Sequence, residues 1–316
     1  MRRQVSTPSA PAFAMETPAC LHCGSRDAIA LIEAPDFSTA ASPPPRYAVV
    51  RCRQCGLAFT SPRPAPEAIA GVYSEHYGPH QDRQAGGSRR RRSGWSRWMA
   101  VLRGRRQVAW QGDGRLLDFG CGAGSFLRKM YEDGWSVTGL DASPAMVEQI
   151  RRRWGLRALA GSLPHPELLP ESLDVVTMWQ SLEHVHQPLD VLREARRLLA
   201  PGGKLIVAVP NIDSRPFRRF GVDWYGLDLP RHLTHFTPAT LRGMVERAGF
   251  QVERVRMVSH ASWLQSSAVR AMQHGRGRPP DQLLTFRSVC RLVAWWQVLC
   301  GSSDAMTLTA RVAPSS

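Results

Sequence analysis

The chain has 316 residues, 43% of them hydrophobic, with 41 Lys+Arg against 26 Asp+Glu and a formal net charge of +15. That apolar share supports a sizeable packed core and excludes wholesale disorder, and the length fits one large domain with a small companion or two ordinary ones. The charge by default points to a polyanion: nucleic acid, an acidic membrane or a phosphorylated substrate.

Residues 1–18 are rich in Ser, Pro and Ala and read as a disordered tail. Met1-Arg2-Arg3 is not followed by an apolar h-region, so no secretory signal is expected and a cytoplasmic location is. Residues 19–62 read as a small lobe built on two cysteine pairs, Cys20-x2-Cys23 and Cys52-x2-Cys55, with 28 residues between them. Each pair can present two thiolates to one ion, and two pairs complete a tetrahedral Zn²⁺ site that is structural and closed to substrate. Gly24 and Gly56 follow each pair where a tight turn is needed. The long intervening stretch is expected to carry a strand over 47–51. The odd total of seven cysteines fits reduced thiols.

Residues 63–111 read as a linker, with Tyr73, His76 and Tyr77 either lining an acceptor site or packing between lobes. Nine arginines and no acid lie between Arg83 and Arg106, leaving +6 for the rest of the chain. Lys129 and Lys204 are the only lysines. Charge so localised and so skewed to Arg reads as a solvated connector, with a phosphorylated acceptor as its functional use.

From residue 112 to 316 short apolar runs alternate with amphipathic stretches, which predicts a doubly wound α/β sheet. Strands are expected at 115–119, 137–140, 173–178, 204–209, 250–258 and 305–312. Helices are expected at 125–133, 144–154, 188–199 and 238–248, the second capped by Ser143 and the last by Thr237. The stretch 259–300 reads as a helical insertion. Its apolar run Val289–Leu299, with Leu292, Trp295 and Trp296, is too short to span a bilayer and is expected to be buried, with a membrane surface as the alternative.

The run Leu116-Leu117-Asp118-Phe119-Gly120-Cys121-Gly122-Ala123-Gly124-Ser125 sets a glycine-rich turn between the first strand and its helix. Asp141 closes the second strand, where an acid accepts hydrogen bonds from ribose hydroxyls. A dinucleotide fingerprint needs glycine at 125, where this chain has serine. G-x-G-x-G after an acid instead resembles motif I of class I S-adenosylmethionine (SAM) methyltransferases, and Gly139-Leu140-Asp141-Ala142-Ser143 resembles their second motif. Leu173-Asp174-Val175-Val176 and Leu199-Ala200-Pro201-Gly202-Gly203-Lys204-Leu205 are similar to two further family stretches. The resemblance implies a Rossmann-like sheet, with Asp118, Gly120, Gly122 and Gly124 around the methionine end of SAM and Asp141 on its ribose; Trp179, which opens the segment after the strand 173–178, is expected on the cofactor near its methyl group. Where the family often has an acid near the adenine, this chain offers Ser162 as a weaker substitute. The cysteine module, with Pro62-Arg63-Pro64 and the tyrosines that follow, resembles the zinc-binding lobe of bacterial methyltransferases that include sugar C-methyltransferases acting on nucleotide-linked deoxysugars.

The segment after the fourth strand carries Glu183 and His184. An imidazole titrating near neutral pH beside a carboxylate is the candidate general base; equally, the pair supports the loop. Asp223-Trp224-Tyr225 and Pro230-Arg231-His232-Leu233-Thr234-His235 resemble a loop of the same subgroup that presents Tyr225, His232 and His235 to an acceptor, or holds itself by histidine–carbonyl bonds. Metal binding by the two histidines is not expected, because no acid has suitable spacing. The implied activity is methyl transfer from SAM to a small molecule, a nucleotide-linked sugar or a glycan or secondary-metabolite precursor first. The alternatives are an RNA methyltransferase using the lobe and basic segment, and a non-catalytic zinc-ribbon interaction protein with a vestigial Rossmann domain.

Overall fold

A computed structural model describes residues 13–39, 41, 43–73 and 114–312. The arginine segment, His76 and Tyr77 lie outside the described residues. The main sheet has seven strands in the order β12-β13-β10-β9-β6-β7-β8. Its parallel part is β6 (Arg115–Phe119), β7 (Ser136–Asp141), β8 (Arg157–Ala160), β9 (Leu173–Trp179) and β10 (Leu199–Pro210). β13 (Ala305–Val312) runs antiparallel between β10 and β12 (Phe250–Val258). This is the Rossmann-like doubly wound sheet that the sequence pattern predicts. β10 begins five residues earlier than expected: Leu199 pairs with Leu173 before the register shifts ahead of Lys204, so Pro201-Gly202-Gly203 forms a bulge in the strand.

The helices are α1 (Ser125–Glu132), α2 (Pro144–Trp154), α3 (Pro188–Leu198), α4 (Arg215–Phe220), α5 (Pro238–Arg247), α6 (Ala261–Gln273) and α7 (Arg287–Leu299). α2 and α5 start as the caps require: Ser143 Oγ accepts from Met146 N–H, and the Thr237 hydroxyl accepts from Thr240 N–H. α3 buries Val191, Leu192, Ala195 and Leu198 along one stripe against the sheet.

The small lobe is a four-stranded sheet in the order β11-β4-β3-β2, formed by β2 (Ala28–Pro35), β3 (Arg46–Cys52), β4 (Ala58–Thr60) and β11 (Thr234–His235). β11 comes from the far side of the main sheet in sequence, so the lobe is completed by the loop that carries the histidines. Cys20, Cys52, Leu57 and Phe59 share one apolar core with Met178, Leu182, Phe236 and Leu241. Two expectations need correction. Residues 13–18 are ordered, because β1 (Met15–Glu16) pairs with β5 (Arg63–Pro64) and the Glu16 carboxylate takes the buried Arg63 guanidinium at 2.7 Å. The run 289–299 is not buried as a whole: α7 covers Cys290, Ala294 and Gln297 but leaves Leu292 at 68%, Trp295 at 62% and Leu299 at 63% exposure.

Candidate active site

The carboxyl ends of β6, β7 and β9 converge on the glycine turn. Gly120, Gly122 and Gly124 have φ of +72°, +51° and +75°, a region that L side chains rarely adopt. A Cβ on Gly120 would stand 2.5 Å from Ser181 Cβ and one on Gly124 2.8 Å from Ile150 Cγ1, whereas Gly122 faces open space. The turn therefore packs its outer glycines on the protein and leaves the middle one open to a ligand. Gly122 N–H donates to Asp141 Oδ2 at 2.8 Å and Ser143 N–H to Oδ1 at 2.9 Å. Each oxygen keeps a further lone pair, so Asp141 can still accept from a diol.

Asp118 is buried at the end of β6 and accepts a hydrogen bond from the Thr177 hydroxyl at 2.7 Å. Burial pushes its pKa up to about 7, against the pull of that bond. Trp179 ends β9 edge-on to Phe126, at 5.3 Å between ring centroids. Its Nε1 and the neighbouring Gln180 Oε1 are buried with no hydrogen-bond partner among the described residues. Gln180 also holds φ +53°, a strained value for a residue with a side chain. Orphaned polar atoms, an open glycine and a carboxylate at one end of the sheet suit a polar, ribose-bearing cofactor. Ser162 lies exposed past β8, beside Gly161, whose N–H donates to Asp141 O at 2.9 Å.

The 3-10 turn Leu182–His184 follows β9 and starts a second cluster. Glu183 is fully buried, and neither carboxyl oxygen has a hydrogen-bond partner among the described residues. Burial pushes its pKa up to about 8, so it is protonated at neutral pH. His184 Nδ1 lies 3.1 Å from Arg231 O and 3.1 Å from the Tyr73 hydroxyl. A carbonyl only accepts, so Nδ1 carries a hydrogen, and in the neutral ring Nε2 holds the lone pair. His232 donates from Nδ1 to Gly226 O at 3.0 Å, while its Nε2 stands 4.0 Å from Glu183 Oε1 and 3.9 Å from Asp228 Oδ2. The rings of His184 and His232 meet edge to face at 4.6 Å.

Burial lowers the His232 pKa well below 6.5, with the His184 charge adding to it, so the ring is neutral. Burial raises the Asp228 carboxyl, but charges on His232 and Arg231 outweigh it and hold it at about 2. With His232 neutral, the Arg231 guanidinium, 2.6 Å from Asp228 Oδ1, is the partner that acts at neutral pH. Arg231 also reaches Ser38 and Asp36 of the small lobe, at 2.5 and 3.4 Å, and so ties the histidine loop to it.

The other two loop residues go elsewhere. His235 Nε2 bonds the Thr60 hydroxyl at 3.1 Å in β4, and burial pushes its pKa down to about 3. Tyr225 is 40% exposed and packs against Trp263 and Arg270 of α6. The expected lack of an acid near the histidines also changes. Glu183, His184 and His232 bring ligand-type atoms within 4.8 Å of one another, a set able to share a proton or hold a cation. Sequence reasoning missed Asp228, Thr177, Gln180 and the Arg231 clamp. Asp228 and Arg231 carried a signal, as opposite charges three positions apart in the histidine loop.

The four lobe cysteines present their sulfurs within 4.8 Å of one another, with Cys20–Cys55 at 3.4 Å and Cys23–Cys52 at 3.5 Å. These separations are too long for disulfides and near the roughly 3.8 Å that tetrahedral Zn–S bonds of about 2.3 Å impose.

Among known families, the Methyltransferase domain family matches residues 88–255. A ubiquinone biosynthesis O-methyltransferase of Xanthomonas oryzae is 32% identical over 165 residues, covering 47% of this chain and 67% of that protein. An uncharacterized 37.1 kDa transposon protein of Streptomyces fradiae is 36% identical over 156 residues, covering 44% of each. The crystal structure of a SAM-dependent methyltransferase from Archaeoglobus fulgidus aligns with a TM-score of 0.46 at 18% identity, covering 68% of this chain and 94% of that one. The cysteine pairs and the α6–α7 layer fall outside the matched residues 88–255.

Proposed function

Because the chain belongs to the Methyltransferase domain family and is a SAM-dependent methyltransferase, we propose that it methylates a small-molecule acceptor whose proton is taken by His184. The observation that carries this reading is the cluster of half-buried His184 with buried Glu183 and His232 at the end of β9, beside the open glycine turn. In an open α/β sheet the ligand crevice lies at this end of the strands.

Asp141 would hold the ribose, the Gly120–Gly124 turn and Asp118 the methionine end, and Trp179 and Ser162 the remaining edge. Bound SAM supplies a methyl group activated by its sulfonium. The residues then have two tasks, alignment and proton removal. His184 Nε2 takes the acceptor proton. The Arg231 carbonyl fixes the tautomer and favours the imidazolium that results. Protonated Glu183 and neutral His232 place no charge of their own beside His184, and the ionised Asp228, 3.9 Å from His232 Nε2, is the anion that favours the new cation. His232, His235 and Tyr225 thereby divide: His232 borders the reaction, while His235 and Tyr225 position the loop. A Zn²⁺ ion held by Cys20, Cys23, Cys52 and Cys55 would be structural, since four thiolates close its coordination.

A nucleotide-linked deoxysugar is the first acceptor to test, supported by the resemblance of the cysteine lobe and by Tyr73, on the segment that follows it, reaching His184. The X. oryzae relative, whose name specifies O-methylation in ubiquinone biosynthesis, makes small phenols the second. The experiment is radiolabelled methyl transfer from SAM to nucleotide sugars, small phenols and total RNA. Label is expected in a small molecule and is expected to be lost in His184→Asn while SAM affinity persists. Label in RNA alone overturns the reading.

A further inference from the structure

α7 is apolar on both sides but covered on only one. Toward the protein it buries Cys290, Ala294 and Gln297. At 100° per residue the opposite direction is occupied by Leu292, Trp295, Trp296 and Leu299, exposed by 68%, 62%, 46% and 63%. Phe286 (61%) and Leu283 (56%) continue the patch into the preceding turn Pro279–Thr285. A helix apolar all round is normally buried all round, and a contiguous apolar ridge of this kind marks an interaction surface.

The polar residues beside the ridge say what covers it. Arg287 and Arg291 flank the apolar crest on one side, and the Arg215 guanidinium lies over the Trp296 ring at 4.4 Å on the other. No Asp or Glu occurs from 282 to 303. The surface is thus a ridge of Trp and Leu flanked by the guanidinium groups of Arg287, Arg291 and Arg215. A second copy would set arginines against arginines. An anionic bilayer instead takes the Trp and Leu side chains at its headgroup boundary and the guanidinium groups at its phosphates.

We propose that α7, with Leu283 and Phe286, is a peripheral docking helix for anionic phospholipid membranes. It lies in the plane of the interface and does not cross it; no described helix is long and apolar enough to span a membrane. α7 packs on α6, and α6 packs on the turn Tyr225–Leu227 that leads into the histidine loop. Docking through α7 therefore sets the acceptor side of the molecule near the lipid surface.

The test is sedimentation of the full chain with vesicles of phosphatidylcholine alone and with 30 mol% phosphatidylglycerol. Wild-type protein is expected to sediment with the anionic vesicles at least tenfold more strongly, and Trp295→Ser/Leu299→Ser to lose at least tenfold of that binding at unchanged SAM affinity. Arg287→Gln/Arg291→Gln is expected to lose the preference for anionic lipid. Three results overturn the proposal. One is no vesicle binding by wild type. Another is retention of binding in the Trp295/Leu299 variant with loss on neutralising Arg89–Arg92, which moves docking to that segment. The third is a wild-type dimer that the Trp295/Leu299 variant dissociates, which makes the ridge a self-association surface.

Discussion

Nε2 of His232 stands 4.0 Å from Oε1 of Glu183, and burial neutralises both groups. It pushes the carboxyl up to about 8 and the imidazole well below its ordinary value. A protonated acid beside a neutral base leaves this pair without net charge, 3.9 Å from the ionised Asp228.

The pH dependence of stability follows. Glu183 binds its proton more tightly folded, at about 8, than unfolded, near 4.5. Its contribution is fully present below the unfolded value and is lost as pH rises through the folded one, at up to about 1.4 kcal/mol per pH unit. Asp118, at about 7, adds a slope of the same sign. Glu183→Gln should match wild type near pH 5 and be the more stable protein at pH 9, measured by urea unfolding. Equal pH slopes in the two proteins would show that Glu183 is ionised when folded.

The three glycines of the turn should separate folding from binding. Gly120→Ala meets both a positive φ and a Cβ at 2.5 Å from Ser181, and is expected to cost about 3 kcal/mol of stability. Gly122→Ala meets only the φ, at about 1 kcal/mol, yet fills the open space above the turn. It should fold and weaken SAM binding by tenfold or more in calorimetry. Normal SAM affinity in Gly122→Ala places the cofactor elsewhere.

Zinc removal should act on the whole molecule. Cys20 and Cys52 share a core with Met178 and Leu182 of the main domain. A tetrathiolate zinc site contributes on the order of 10 kcal/mol, comparable to the stability of an entire domain. Cys52→Ser is expected to lose one zinc per chain by elemental analysis and to lower the unfolding midpoint of the main sheet. Full stability without metal removes the structural role.

Thr60→Val tests the tie between lobe and histidine loop. The Thr60 hydroxyl donates to His232 O at 2.7 Å and accepts from His235 Nε2 at 3.1 Å, both buried. Valine keeps the shape and leaves both partners unsatisfied, at a cost of about 2–4 kcal/mol. The unfolding midpoint should fall, and kcat should fall more than SAM affinity because His232 loses its support. An unchanged kcat separates the tie from the reaction.

The features legible in the sequence share a local cause. Strand and helix periods, the Ser143 and Thr237 caps and the positive-φ glycines are set by residues within a few positions, and Cys-x2-Cys pairs point to one ion by spacing alone. Glu183 and His184 were legible as a pair for the same reason. His232 and His235 were not separable, because they lie three apart in one loop yet face a carboxyl from the end of β9 and a hydroxyl from β4.

The +15 charge of the chain, its most prominent compositional feature, turned out to be less informative than where single charges fall. By itself the sequence determined the sheet, the glycine turn with Asp141 and the grouping of four cysteines, all governed by local backbone preference and short spacing. Only the tertiary structure decided that β11 completes the small lobe, that Glu183 becomes the buried acid beside His232, and that α7 leaves Leu292, Trp295 and Leu299 in solvent. Each of those depends on which long-range surfaces exclude water, and periodicity along one element says which face is apolar but not whether anything covers it.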